Sequence, residues 1–270
     1  MQQTRVAING AGGRMGRTLL SVLPEFDALK LGAAFERQQS PMIGEDAGVL
    51  GGWDNKSQVA VAADIAARAE SFDLLVDFTT PESTLAALEQ CKKSDKAMVI
   101  GTTGCTPEQR AQIEAAGKEI PLVFAPNFSV GVNLSLKLLE VAAKVLGDSV
   151  DVEVIGAHHR HKVDSPSGTA LAMGEAVAKA LNRDHDKHAA YSREGRHGER
   201  PREQIGYSTI HAGDIVGEHT VMFAGEGERL EITHKATDRA IFARGALRAA
   251  QWLAGKPVGL YDMQDVLELR

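Results

Sequence analysis

Cysteine is nearly missing from this chain: its 270 residues include only Cys91 and Cys105, too few for a disulfide framework. Long apolar runs are missing as well. No stretch approaches the roughly 20 residues that a membrane-crossing helix needs. The first residues, MQQTRVAING, carry no charged leader ahead of a long apolar core. The chain therefore reads as cytoplasmic, with no membrane partner. Excess positive charge is also lacking: 30 Lys+Arg stand against 36 Asp+Glu, giving a formal net charge of -6 and a pI near 5.9. The electrostatic footprint of a nucleic-acid binder is thus absent. Nor is there an internal repeat or a low-complexity tract. What remains is an ordinary globular composition, 43% hydrophobic and 24% charged, long enough for one large domain or two ordinary ones. The expected partner is a small molecule.

Short apolar runs punctuate the first half: RVAIN (5–9), LGAAF (31–35), VAV (59–61), DLLVDF (73–78), AMVIG (97–101) and PLVFA (121–125). They are continuous rather than alternating, as expected of strands buried on both faces of a parallel sheet. Helical stretches lie between them, near 14–23, 81–93 and 107–118. The last opens with Thr106, Pro107 and Glu108, a capping residue, a proline at the first helical position and an early acid. The alternation predicts a Rossmann-type, doubly wound α/β domain.

After about residue 129 the pattern changes. A long helix is expected over 133–146, its stripe formed by Leu134, Leu138, Val141, Ala142 and Val145. DVEVIGAHH (151–159), YSTIHA (207–212), EHTVMF (218–223) and RLEITHKA (229–236) mostly alternate, which predicts an α+β domain with a mixed sheet. The polar stretch 183–204 reads either as a solvated loop or as a flap over an anionic ligand. A last helix, 238–254, returns to the first domain. The domain expectation is 1–129 completed by 239–270, with 130–238 as the second domain.

RVAIN runs straight into GAGGRMGRTLL, with Gly10, Gly13 and Gly16 three apart and Gly12 in addition. A tight strand-to-helix turn needs glycine for its backbone angles, and a bare backbone can approach a pyrophosphate closely. The next strand ends in Glu36 and Arg37, about 20 residues beyond the motif. Glu36 is placed for the ribose hydroxyls of NADH, and Arg37 for adenine or the 2′-phosphate of NADPH, so both cofactors are expected. Gly101, Thr102 and Thr103, with Ala125, Pro126, Asn127 and Phe128, form further loops on the carboxyl edge of the sheet, assigned to the nicotinamide half.

The segment GAHHRHKVDSPSGTA (156–170) packs three histidines, Arg160 and Lys162 together in an acidic protein. It is followed by Ser167, Gly168 and Thr169, which open a helix whose amino end is itself a carboxylate site. Cations and a helix end converge, which suits a ligand with more than one carboxylate. A zinc site at His158, His159, His161 and Asp164 is disfavoured, because adjacent strand residues face opposite ways and Arg160 and Lys162 repel a cation; no metal is expected. Ser165 and Ser167 lack a nucleophile elbow and read as turn or capping residues.

VAINGAGGRMGR, DFTTPE, GTTG, APNFSVGVN, AHHRHKVDSPSGTALAMGE and GDIVGEHTVMF together closely resemble the 4-hydroxy-tetrahydrodipicolinate (dihydrodipicolinate) reductase family over essentially the whole chain. The resemblance implies NAD(P)H-dependent reduction of that cyclic dicarboxylate to tetrahydrodipicolinate with loss of water, on the diaminopimelate route to lysine. It also implies a homotetramer held by the second domain. By position, Gly10, Ala11, Gly12, Gly13, Arg14 and Met15 match the pyrophosphate loop. Glu36 matches the ribose contact and Arg37 the 2′-phosphate contact. His158 matches the proton donor and Lys162 a second donor and substrate-binding cation. His159 matches a substrate contact, and Gly168 with Thr169 the carboxylate-binding helix end. Gly156 and Ser165 depart from the family's usual Glu and Ala. Two other readings use the same residues: a redox-silent NAD(P)-binding sensor, and a dehydrogenase for another small carboxylic acid in which Cys105 would be the nucleophile.

Overall fold

The computed structural model describes residues 3–270, which form two compact units. One runs to Val130 and resumes at Ala240–Arg270; the other is Gly131–Arg239.

The first unit contains, in chain order, β1 (Thr4–Asn9), α1 (Arg14–Val22), β2 (Leu29–Phe35), α2 (Ala47–Leu50), β3 (Val61–Ala62), β4 (Leu74–Asp77), α3 (Pro81–Lys93), β5 (Ala97–Ile100), α4 (Pro107–Ala116) and β6 (Pro121–Phe124). With β12 (Gly259–Tyr261) from the end of the chain, its seven strands are all parallel, in the order β12-β6-β5-β4-β1-β2-β3. The continuous apolar runs have the expected cause. Successive strand residues feed two separate cores, Val6, Ile8, Val76 and Val99 on the face of α1, and Ala7, Leu75, Met98 and Ile100 on the face of α3 and α4. Each fully buried aliphatic side chain of this kind contributes about 2 kcal/mol of transfer free energy. At the start of α4, Thr106 and Gln109 form a reciprocal capping box behind Pro107.

The second unit contains α5 (Val130–Leu146), β7 (Asp151–His158), α6 (Gly168–Ala180), α7 (His185–His188), β8 (Ala189–Ala190), β9 (Ile205–His211), β10 (Gly217–Ala224) and β11 (Arg229–Ala236). The sheet order is β11-β10-β7-β9-β8, antiparallel on the β10 side and parallel between β7, β9 and β8. Alternation is clean in β7, where Val152, Val154, Gly156 and His158 are buried and the residues between them are half-exposed. Val152, Val154, Val221 and Phe223 pack with Leu139, Met173 and Val177 of the helices.

The chain then returns through α8 (Ala240–Leu253) to β12 (Gly259–Tyr261) and α9 (Met263–Val266). Ala243, Ala246, Leu247 and Ala250 of α8 enter the same core as α1, and β12 adds an edge strand on β6. That strand was not foreseen, because three residues are too few to establish a period.

Of the stripe expected to bury α5, Ala142 faces the core but the other four residues do not. Leu134, Leu138, Val141 and Val145 are exposed, Val145 at 78%, whereas Val132, Ser135, Leu139 and Ala143 face inward. α5 is apolar on more than one side, and the side that carries Val132, Ser135, Leu139, Ala142 and Ala143 is the buried one. The polar stretch 183–204 is tied down: Arg200 donates to Glu153, Asp151 and the Val152 carbonyl, Arg193 pairs with Glu153, and Arg183 with Asp148.

Candidate active site

The carboxyl end of β1 delivers the glycine-rich turn. Gly10 has φ +71°, and a Cβ there would sit 2.6 Å from Thr79 Cγ2; at Gly16 it would sit 2.0 Å from the Gly10 carbonyl oxygen. These positions therefore exclude side chains and keep strand and helix in close contact. No side chain caps the amino end of α1, so its first N–H groups are available to an anion. Glu36, at the end of β2, accepts hydrogen bonds from Gly12 N at 2.9 Å and from its neighbour Arg37 N at 3.2 Å. It thereby fixes the turn against the second strand. Arg37 is exposed. Asn9, Glu36, Arg37, Ile65, Ser83 and Gln90 line a cleft of about 500 Å³. A bare-backbone turn, an open helix end and an acid beside a base fit an adenine dinucleotide.

The two loops expected to border the nicotinamide divide by exposure. Gly101 admits no Cβ because the Phe78 ring lies 2.1 Å from where it would be. Thr103 and Pro126 are exposed and Asn127 half-buried, whereas Thr102 and Ala125 are buried. The Asn127 side chain accepts from Ser129 N and so shapes its own turn. Phe128 is 1% exposed as a whole residue, and its ring packs on Phe78 at 5.4 Å. Cys105 is half-buried and packs on the α3/α4 core.

In the second unit, β7 ends at His158, whose carbonyl accepts from Ala212 N. A turn follows in which Lys162 N donates to the His159 carbonyl. It brings Lys162 back, with Nζ 2.7 Å from Asp164 Oδ1; Asp164 itself is exposed. His158 is buried. Burial, then Lys162, His211 and His159, hold its imidazole below the ordinary value, with Asp164 opposing. His159 is half-buried, and Arg160 and His161 are exposed.

Ser167 caps α6 by accepting from Ala170 N at 3.1 Å. The same oxygen is hydrogen-bonded to His219 Nε2 at 2.7 Å, and the His219 ring meets His158 edge-on at 5.0 Å. The helix end of Gly168 and Thr169 is thus joined to the histidine of β7 through two buried side chains. Burial pushes His219 down to about 4, so it stays neutral. Sequence reasoning gave His219 no role. A signal was present: in EHTVMF it shares a face with Val221 and Phe223, the two core residues of β10. Gly156 and Ser165 are accommodated simply. A Cβ at Gly156 would meet the His158 and His219 rings at ordinary contact distances, 3.9 and 3.8 Å, and Ser165 Oγ donates to Thr209 Oγ1 at 2.8 Å.

Comparison with known proteins accounts for both halves of the chain. Residues 4–128 match the family described as dihydrodipicolinate reductase, N-terminus, and residues 131–267 its C-terminus. A 4-hydroxy-tetrahydrodipicolinate reductase of Alkalilimnicola ehrlichii is 58% identical over 98% of this chain and 99% of its own. Among solved structures, the dipicolinate-bound dihydrodipicolinate reductase of Paenisporosarcina sp. TG-14 superposes with a TM-score of 0.78 at 22% identity, covering 98% and 99% of the two chains. GenD2 of gentamicin A biosynthesis, in complex with NAD, gives 0.62 at 14%, covering 100% and 91%. The glycine turn, the basic strand end and the capped helix therefore stand in a sequence context shared along almost the full length of a curated relative, and the chain belongs to the dihydrodipicolinate reductase family.

Proposed function

We propose that the chain reduces 4-hydroxy-tetrahydrodipicolinate to tetrahydrodipicolinate with NADH or NADPH, releasing water, and that the two units divide this work. The observation carrying the proposal is the chain of contacts from the α6 amino end through Ser167 and His219 to His158, with Lys162 beside it. A bound nicotinamide dinucleotide supplies the hydride. Gly10 to Met15 hold its pyrophosphate, Glu36 the ribose and Arg37 the 2′-phosphate when one is present. The loops of Gly101 to Thr103 and Ala125 to Phe128 border the nicotinamide half.

On the substrate side, the N–H groups of Gly168 and Thr169 bind one carboxylate, and Lys162 with His159 the other. Lys162 is spoken for by an exposed partner, Asp164, and surface pairs of that kind are weak enough for a substrate carboxylate to replace. Once the 4-hydroxyl has left as water and C4 is part of an unsaturated, imine-conjugated ring, hydride adding at C4 leaves enamine-like electron density that must take a proton. In the free site burial, then Lys162, weakens the hold of His158 on a proton. Two arriving carboxylates reverse that balance, so the imidazole gains its proton with the substrate and gives it up to the ring. Lys162 stabilises the negative charge and serves as a second acid.

We propose further that the chain assembles as a cytoplasmic homotetramer. Half-exposed Ile155 and Met222 and exposed Ile210, on the sheet face away from α5 and α6, support the second unit as its contact. Among the described residues no helix is long and apolar enough to cross a membrane. The test is the decay of NADH and NADPH absorbance with freshly generated 4-hydroxy-tetrahydrodipicolinate, with pyridine-2,6-dicarboxylate as competitor. Rapid oxidation that the competitor blocks is expected. Tight NADH binding without oxidation would overturn the reading.

A further inference from the structure

One carboxylate in the first unit has no part in the scheme above. Asp77 ends β4, between β1 and β5, and is 0% exposed. Its Oδ2 accepts from Asn9 Nδ2 at 2.9 Å. Its Oδ1 accepts from Thr79 N at 2.8 Å and from the Thr79 hydroxyl at 2.7 Å. The hydroxyls of Thr84 and Thr102 each lie 3.2 Å from that same oxygen and 2.7 Å from one another. Every one of these partners is neutral, and among the described residues no Lys, Arg or His pairs with Asp77.

Burying a carboxylate without a counter-charge is costly even when its lone pairs are satisfied. Asparagine has the same shape and, with the hydroxyls free to turn, would satisfy most of the same network. The charge itself therefore needs a purpose, and the place suggests one. Asp77 lies beneath the carboxyl edge of the sheet, one hydroxyl removed from the Thr102–Thr103 loop.

We infer that the Asp77 carboxylate is a fixed negative charge by which this edge favours the oxidised, cationic nicotinamide over the neutral reduced ring. The inference rests on the cofactor reading given above. As the C–H bond of the reduced ring breaks and its electron pair leaves with hydrogen for the substrate, the ring left behind becomes a cation. A negative charge already in place stabilises that change without reorganising. Asp77 touches neither substrate nor, by its burial, cofactor; it acts through the field it sets up and through Thr102.

The test is direct binding, without turnover. NADH and NAD+ are titrated into wild type and Asp77→Asn, by fluorescence and calorimetry respectively. The expected result is that NAD+ binds on the order of tenfold more weakly to the variant, the scale of a unit charge lost from a low-dielectric site, while NADH affinity holds. Equal weakening of both, or no change in either, would overturn the inference and leave Asp77 as architecture alone. Wild type that binds neither dinucleotide would overturn the cofactor reading, and this inference with it. If Asp77→Asn does not fold, Asp77→Ser, which leaves room for a water among the same hydroxyls, replaces it with the same expected ratio.

Discussion

His219 Nε2 and Ser167 Oγ, 52 residues apart in sequence, are hydrogen-bonded at 2.7 Å. Ser167 is the cap of α6 and His219 the ring against which His158 leans. One neutral imidazole therefore touches both the helix end proposed to receive a carboxylate and the ring proposed as proton donor.

Replacing His219 separates this role from general folding. His219→Leu removes the bond to Ser167 and should raise the inhibition constant of pyridine-2,6-dicarboxylate and the KM for substrate by on the order of tenfold, the worth of one buried hydrogen bond to a group that must stay oriented. KM for NADH should not move, because its residues lie in the other unit. His219→Gln can still reach Ser167 and should restore much of the loss. Steady-state kinetics with varied inhibitor measures all three; equal damage to both KM values would leave only a folding role.

The acid limb follows from the depressed imidazole of His158. A general acid must be protonated, and kcat/KM reports the free enzyme. Because burial and Lys162 lower the free-state value below 6.5, kcat/KM should begin to fall with rising pH below 6.5. The complex carries two added carboxylates, which favour imidazolium, so kcat should hold to a higher pH before falling. In His158→Gln the limb should vanish and kcat should drop about 10²–10⁴-fold, with NADH binding intact. Coincident limbs for kcat and kcat/KM in wild type would contradict proton uptake with substrate.

Arg37 is predicted to distinguish the two cofactors. It is exposed beside Glu36, so Arg37→Ala should weaken NADPH by on the order of tenfold, as expected for a charge-assisted contact to phosphate, and spare NADH. Fluorescence titration of both cofactors checks it, and equal losses would remove the phosphate contact.

Gly245 is a packing constraint rather than a functional one. A Cβ there would lie 1.7 Å from the Phe128 carbonyl oxygen, inside the core that α8 shares with α1. Gly245→Ala should cost about 2–3 kcal/mol, the range for overpacking a close-packed interior, measured by urea unfolding. Stability equal to wild type would show that α8 can shift.

Much of this was legible in the residues. The turn from Gly10 to Gly16, the cap at Thr106 and the basic strand end at His158 announce themselves because each is local: a few adjacent residues meet a geometric need. The doubly wound sheet was legible for a related reason, since strands such as AMVI can be apolar throughout only if both faces are covered. What sequence misjudged depends on the third dimension. The stripe of Leu134, Leu138, Val141 and Val145 has perfect helical spacing, yet spacing does not say which of two apolar sides meets the sheet. His219 and Asp77 gain meaning only from partners far along the chain, Ser167 in one case, Asn9 and Thr102 in the other. Phe128 shows the reverse limit: the residues assign its loop to a ligand, but its ring turns into the core.

The return of α8 and β12 to the first unit has a consequence for how the protein is made. Ribosomes deliver the amino-terminal strands first, but the core around Val6, Ile8 and Leu19 stays open until Ala243, Ala246 and Leu247 emerge. The second unit has its own closed core and is synthesised whole in between. The later-synthesised unit can thus complete folding first, while the earlier one waits, partly uncovered, for the last residues of the chain. A nascent chain paused near residue 239 would present that uncovered apolar face to chaperones.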